Sequence, residues 1–351
     1  MATTLFGKSY TRREIAARVG DLSQVAGVER FTFTEGAADG VRAARVRTGG
    51  GLDFTVLFGR GMDIGAASFK GIPLAWQSAT GPAHAHALDQ SDPLGRGWLR
   101  SFHGGLLTGC GLSNAGAASD DNGESLGIHG FLSHLPAENT SAGVHWNGDD
   151  AMITVRGTMR EARVFGENLR LERAITARVG DSALTITDTV TNEGFAAVPL
   201  MLLYHLNFGF PLVGENTELV TNATEPPTPR DADAEVGKET ATCLGVPTPG
   251  YREQCFFHHP KPDADGYATV TLANRTLPLA ATIRYDARAL PHLTQWKMMG
   301  EGEYVCGIEP ANCRVGGRAA ERAAGRLQSI APGETRVFTV MISVEPGLKL
   351  P

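Results

Sequence analysis

Three segments in the middle of the chain, AMITVRGTM, LRLERAITARV and ALTITDTVTNEG, alternate apolar and polar side chains at period two. Only an extended strand with one buried face produces that rhythm. The short polar stretches between them, NGDD and VGDS, suit tight turns, so the spacing predicts long antiparallel strands. They lead into VPLMLLYHLNFG, whose unbroken apolar run suits a strand covered on both faces. His205 and Asn207 stand inside that run, and Gly209 and Pro211 end it.

The rest of the chain has the same texture. From Gly27 onwards short β-rich runs (ERFTFTEG, VRAARVRTGGG, LDFTVLFGRG, IPLAW) are punctuated by glycine, and later runs (YATVTLAN, LAATIRYD, LTQWKMM, TRVFTVMISV) repeat the pattern. Two short helices are expected. One follows the capping-box pair Thr11 and Glu14 and ends at Gly20, and the other lies in RAAERAAGRL. Residues 81–98 and 222–250 are rich in glycine, proline and polar residues and are expected to run over the surface. No internal repeat or interdomain linker interrupts the chain. The expected organisation is an N-terminal helical appendage, residues 1–27, and a single β domain, residues 28–351.

Charge and cysteine usage exclude several classes. A net charge of -6 with scattered basic residues leaves no footprint for nucleic acid. No stretch approaches the length of a membrane helix, and the N-terminus lacks the apolar core of a secretory signal. Five widely spaced cysteines without a CxxC pair fit a reducing cytoplasm and are expected to be buried small hydrophobes. His84 and His86 lie close together on a loop without a third ligand, too few for a zinc site.

Chemistry concentrates at two strand ends. His205 has a side chain that titrates near neutrality, and Glu309 stands in VCGIEP at the end of another apolar run. A histidine and a carboxylate brought together from distant strands form a minimal proton-transfer site. Taken alone, His205 reads first as a buried histidine bonded to a backbone carbonyl. In GRGMDIG, Arg60 either contacts Asp63 within a turn or reaches a ligand with its guanidinium fork. Trp296 is either a core residue or a stacking face for a sugar. Gly104 and Gly105 remove bulk where a backbone or ligand comes close.

These motifs, in this order, resemble aldose 1-epimerases. YHLNFGF is similar to their H-x-x-F-N segment, with the aromatic residue and the asparagine in shifted order. VCGIEP resembles the V-C-v-E-p segment of hexose-6-phosphate 1-epimerases, and HGGLLTG and GIHGFLSHLPAE resemble the G-G-I-P and H-G-F-A-R stretches. The match runs from about Arg60 to the last strand and points to a branch apart from the galactose enzymes. The resemblance implies an all-β fold, a large antiparallel β-supersandwich of the galactose mutarotase type. It implies His205 and Glu309 as the catalytic acid and base. Around the sugar it implies Arg60, His103, His129, His134, Asn207 and Trp296. His103 replaces an arginine of the phosphosugar enzymes, which argues against a phosphorylated substrate. A pocket carboxylate is expected between His205 and Glu309, with Asp231, Asp233 and Asp263 as candidates.

The implied function is interconversion of the anomers of a free sugar without metal or other cofactor. Its partner is a small-molecule sugar, with neither nucleic acid nor membrane involved, and a homodimer is an allowed assembly. Two alternatives stay open: a non-catalytic carbohydrate-binding protein, and a metal-dependent sugar isomerase or lyase with His103, His129 and His205 as ligands.

Overall fold

The computed structural model describes residues 2–88, 92, 95–277 and 279–346. The three alternating segments become the strands Asp150–Ala162, Asn168–Arg178 and Ala183–Asn192. They lie side by side in an eight-stranded sheet that continues through Thr335–Pro346, Leu279–Asp286 and Tyr267–Asn274. Every strand pair in it is antiparallel. A six-stranded sheet has Met201–Gly209 between Tyr304–Ala311 and Thr108–Leu112. A five-stranded sheet from the N-terminal third joins it through isolated bridges, such as Ile64 with Leu107 and Ala75 with Phe208.

All nine residues of Met201–Gly209 are buried, as the unbroken apolar run predicts. Its two faces do different work. Leu202, Tyr204, Leu206 and Phe208 enter the main core, where residues of all three sheets pack together. Met201 and Leu203 enter a smaller cluster with Trp98, Phe102, Cys110 and Cys313. His205 and Asn207 continue that second face, because successive side chains alternate.

One buried ionic tie crosses the main core. Arg173 donates to both carboxylate oxygens of Asp188, at 2.8 and 2.7 Å, and Tyr204 donates its hydroxyl to the same carboxylate at 2.8 Å. The guanidinium also donates to the carbonyl of Gly61 at 3.1 Å. The eight-stranded sheet, the six-stranded sheet and the turn before Asp63–Phe69 thus share one hydrogen-bonded group.

Several expectations change in detail. The N-terminal residues form a hairpin, Thr3–Leu5 with Lys8–Tyr10, before the helix Arg12–Ala16, and Leu5 and Ile15 are buried against the main core. The capping box is present: Glu14 N–H donates to the Thr11 hydroxyl at 3.2 Å, and Thr11 N–H to the Glu14 carboxylate at 2.8 Å. The helix stops short of Gly20 because the N–H groups of Arg18 and Val19 both turn back to Ile15 O. The second helix is Arg318–Ala323. Cys243 is exposed, whereas the other four cysteines are buried; it sits on a turn whose neighbours Ala241 and Leu244 take the inward positions. The two polar stretches are not simply surface loops. Ala83, Ala85 and Trp98 of the first are buried, and so are Ala234, Ala241 and Leu244 of the second. Residues 89–91, 93 and 94 of the first lie outside the described residues, as do 347–351 of the β domain. Among the described residues no helix is long and apolar enough to cross a membrane.

Removing one partner of a buried ion pair strands the other charge. Asp188→Leu should cost about 3–5 kcal/mol of stability, and adding Arg173→Met should recover much of the loss. Chemical denaturation of the single and double variants measures both; an equal loss in the two would show that the tie is not the source.

Candidate active site

The register of the six-stranded sheet sets the site. Leu206 pairs with Ile308 and Asn207 with Gly307, so His205 lies directly opposite Glu309. On the far side of that strand Thr294 pairs with Glu309, and Trp296 with Gly307. Residues opposite one another share a face, which gathers His205, Glu309 and Trp296 on one surface. Gly307 makes this arrangement fit: a Cβ there would lie 3.0 Å from both Trp296 Cβ and Glu309 Oε1.

His205 Nε2 lies 3.3 Å from Glu309 Oε1, and both side chains are almost completely buried. They form the floor of a cleft of about 620 Å³, a size that suits a small-molecule ligand. Its walls are aromatic. Trp98 stacks on Phe102 at 4.4 Å, Phe102 lies edge-on to His205 at 5.2 Å, and Trp296 lies edge-on to His205 at 5.3 Å. Trp76 closes one side against Trp296 at 5.9 Å. Gly104 reserves the space for Trp76: its φ is +72°, and a Cβ on it would lie 2.7 Å from the Trp76 ring.

Dry surroundings govern the charges. Burial pushes Glu309 up to about 8, helped by the nearby Glu253 carboxylate and opposed by Arg230. Burial pushes His205 down to about 4, partly offset by its hydrogen bond to Asn207. Both shifts favour neutral groups, so near neutral pH the pair shares a single transferable proton. His129 is also held neutral, well below the ordinary histidine range, by burial and then by His205. Its Nδ1 accepts the Gly116 N–H at 3.3 Å, which leaves its own N–H on Nε2.

Of the residues expected around a ligand, His129 and Trp296 line the cleft with His205 and Glu309. Arg60, His103, His134 and Asn207 do not, which corrects their expected role as ligand contacts. Arg60 is fully buried and donates to the carbonyls of Ser133, Ala83 and Ser101, at 2.6, 2.7 and 3.0 Å. Three backbone acceptors leave this guanidinium no free fork for a ligand. His134 shares a hydrogen bond with Ser101 Oγ at 2.7 Å inside the same cluster. His103 faces Asp63 at 3.3 Å. Asn207 faces His205 Nδ1 at 2.5 Å. The three buried groups Arg60, His103 and His134 tie together loops beside the cleft, including the turn that carries Trp98. His103 therefore does not join His129 and His205. Among the described residues no three His, Cys, Asp or Glu side chains are placed to hold a metal ion.

Sequence reasoning missed Trp76, Trp98, Phe102, Arg230 and Glu253, all of which line the cleft. One carboxylate between His205 and Glu309 in the sequence, Glu253, lines the cleft. It accepts from Trp296 Nε1 at 2.9 Å and from Arg230 at 3.0 Å. Of the three candidate aspartates, Asp231 caps the helix Ala232–Val236 and holds the cleft-lining Arg230, whereas Asp233 pairs with Arg252 and Asp263 pairs with Arg284. The one available signal was tryptophan itself, since three of the chain's four tryptophans line the cleft.

Residues 38–344 match the family described as a domain of unknown function, DUF4432. The chain belongs to the DUF4432 family. No functionally curated protein matches it. Among solved structures, this DUF4432 protein is similar to one from Klebsiella pneumoniae subsp. pneumoniae, provisionally described as an aldose 1-epimerase. The TM-score is 0.86 at 23% identity, over 90% of this chain and 83% of that one. A galactose mutarotase-like protein from Clostridium acetobutylicum aligns with a TM-score of 0.59 at 14% identity, over 91% and 98% of the two chains. Galactose 1-epimerase from Lactobacillus acidophilus gives 0.59 at 12% identity, over 92% and 99%. The fold is that of the galactose mutarotase-like proteins, as the order of sequence motifs implied.

The buried carboxyl group has a consequence for stability. Between about pH 4.5 and pH 8 the folded protein keeps a proton on Glu309 that the unfolded chain releases, so stability from this group falls as pH rises. Glu309→Gln removes that titration and keeps the shape. Denaturant titrations should show the variant gaining on the wild type between about pH 5 and about pH 9; a difference independent of pH would contradict a protonated Glu309.

Proposed function

We propose that this DUF4432 protein interconverts the anomers of a free, neutral aldose by acid–base catalysis. The observation that carries the reading is the His205–Glu309 contact on the floor of an aromatic-walled cleft. Anomer exchange needs one proton removed from the anomeric hydroxyl and one delivered to the ring oxygen. Both oxygens are bonded to the same carbon, so two side chains in mutual contact can serve both. The pair holds one transferable proton, and its neutral form and its ion-pair form differ only in where that proton sits. With the proton on His205, Glu309 takes the hydroxyl proton while His205 protonates the ring oxygen and the C–O bond opens. The aldehyde rotates, and closure on its other face returns both protons.

The walls suit this chemistry. Aromatic faces pack on the CH-rich sides of a sugar, and exclusion of water strengthens the few polar contacts. The Nε2–H of His129 is available to a sugar oxygen. The charge balance favours a neutral substrate. Among the described residues Arg230 is the single cation lining the cleft, and Asp231 and Glu253 already hold it. Glu303 also lines the cleft, so a phosphate or carboxylate on the sugar would meet like charge.

Polarimetry on neutral pentoses and hexoses tests the reading. Glu309→Gln and His205→Asn should each lower kcat by roughly 100-fold or more, with far less change in sugar affinity. The double variant should be little worse than the poorer single one, because both act in one relay. Wild-type kcat/KM should trace a bell with limbs near about 4 and about 8. Below the lower limb the pair carries two protons, and above the upper limb it carries none. Phosphorylated or acidic sugars should compete roughly tenfold less well or worse. Tight binding of a sugar with no acceleration of anomer exchange would make the protein a binder instead.

A further inference from the structure

Asn207 does not line the cleft, yet its side chain is fully buried and every polar atom on it is engaged. Its amide nitrogen donates to the Gly105 carbonyl at 3.1 Å and to the His205 carbonyl at 2.9 Å. Those two acceptors fix which way the amide points. A flipped amide would set its oxygen against two carbonyl oxygens and its NH2 group against the imidazole. With the nitrogen so held, Asn207 Oδ1 faces His205 Nδ1 at 2.5 Å. An amide oxygen only accepts, so the Nδ1 position must carry the hydrogen. In the neutral ring the other nitrogen, Nε2, is then a bare lone pair, and it points at Glu309 Oε1 3.3 Å away.

We propose that Asn207 is a positioning residue that locks His205 in the Nδ1–H tautomer and so confines the site's one transferable proton to the line between His205 Nε2 and Glu309 Oε1. Without the lock the imidazole could place its hydrogen on Nε2 and leave Nδ1 bare. The ring would then present a donor to a protonated Glu309, and neither group could take a proton from a sugar. With the lock, a proton that leaves Glu309 in the resting site has His205 Nε2 as its acceptor, and the same nitrogen is the one that hands it to a sugar oxygen. Asn207 is held by the strand that carries His205 and by the backbone of Gly105, so the lock is set by the fold before any ligand arrives. Its catalytic value rests on the acid–base function proposed above; the tautomer itself does not.

The groups around His205 are few. Glu309 faces it from the neighbouring strand, and His129 approaches it from the loop side with ring centres 5.5 Å apart. Phe102 and Trp296 complete the packing. On the strand Thr108–Leu112, Cys110 stays a thiol because burial raises it far above its usual range. Glu309 and His129 are therefore the partners against which a change at Asn207 is read.

The test is 15N NMR of histidine-labelled protein near neutral pH, without substrate, on the wild type, Asn207→Leu and Asn207→Asp. The wild type should show His205 protonated at Nδ1. Asn207→Leu, which removes the acceptor, should give a mixture of tautomers, with kcat lowered roughly tenfold or more and KM little changed. Asn207→Asp places a carboxylate oxygen on Nδ1 and gives up the two hydrogen bonds of the amide nitrogen to the Gly105 and His205 carbonyls, so its fold is checked by thermal denaturation alongside. It should move the acidic limb of the pH profile up by about one unit or more, a change that a merely structural role would not cause. If Asn207→Leu does not fold, the wild-type spectrum and the aspartate variant still decide the matter. His205 protonated at Nε2 alone in the wild type, or an acidic limb unmoved in Asn207→Asp, overturns the lock. A wild type with the locked tautomer but no anomer exchange sinks the functional reading and leaves the lock standing.

Discussion

The structure turns on a charge placed where water cannot reach it. Arg173 is completely buried, and its guanidinium is satisfied because Asp188 from the adjacent strand and the carbonyl of Gly61 both reach it, while Tyr204 from the six-stranded sheet donates to the same Asp188 carboxylate. A buried charge in this setting is costly unless every partner is present, which makes the relative placement of the three sheets close to all-or-none. Tyr204 precedes His205, so the tie on one face of the strand fixes the height of the imidazole on the other. Asp63, 3.9 Å from Arg173, extends the same logic: it accepts the Gly109 N–H at 2.8 Å and faces His103. That anchors the second strand flanking His205.

Against this rigid background the cleft holds a pair that is poorly solvated by design of its surroundings. Neither His205 nor Glu309 is surrounded by groups that would stabilise its charge fully. Glu309 has Arg230 beyond it, but that guanidinium is shared with Asp231 and Glu253. Phe102 and Trp296 meet His205 edge-on and give its ring no hydrogen bond. Both groups therefore resist ionisation. The polar cluster of Arg60, His134 and Ser101 contributes indirectly, by holding the turn that carries Trp98 against the cleft.

The strands and the central pair were legible in the sequence because both follow a local rule. Alternation at period two marks each strand's buried face, and a histidine or glutamate inside an apolar run breaks that rule visibly. The aromatic walls were not legible: Trp76 ends the β-rich run IPLAW, whose pattern gives no sign of a cleft, and Trp98 and Phe102 come from a short irregular segment with no period to read. Arg230 comes from the stretch 222–250, whose composition suggests surface, and Glu253 from the segment after it, where the following strand Gln254–His258 brings it beside Trp296. Arg60, His103 and His134 were misjudged for a different reason. A buried polar side chain satisfied by backbone carbonyls and one that awaits a ligand have the same letter in the sequence, and only the fold shows where their hydrogen bonds go.

The central claim is that the paired groups move protons between oxygens and leave every carbon–hydrogen bond intact. Proton exchange spectroscopy of a neutral aldose in D2O tests it most directly. The account predicts faster exchange between the α and β anomeric signals in the presence of the protein, with the H1 and H2 intensities undiminished. Loss of the H2 signal to deuterium would reveal enediol chemistry, and it would contradict the assignment of His205 and Glu309 to ring opening and closure.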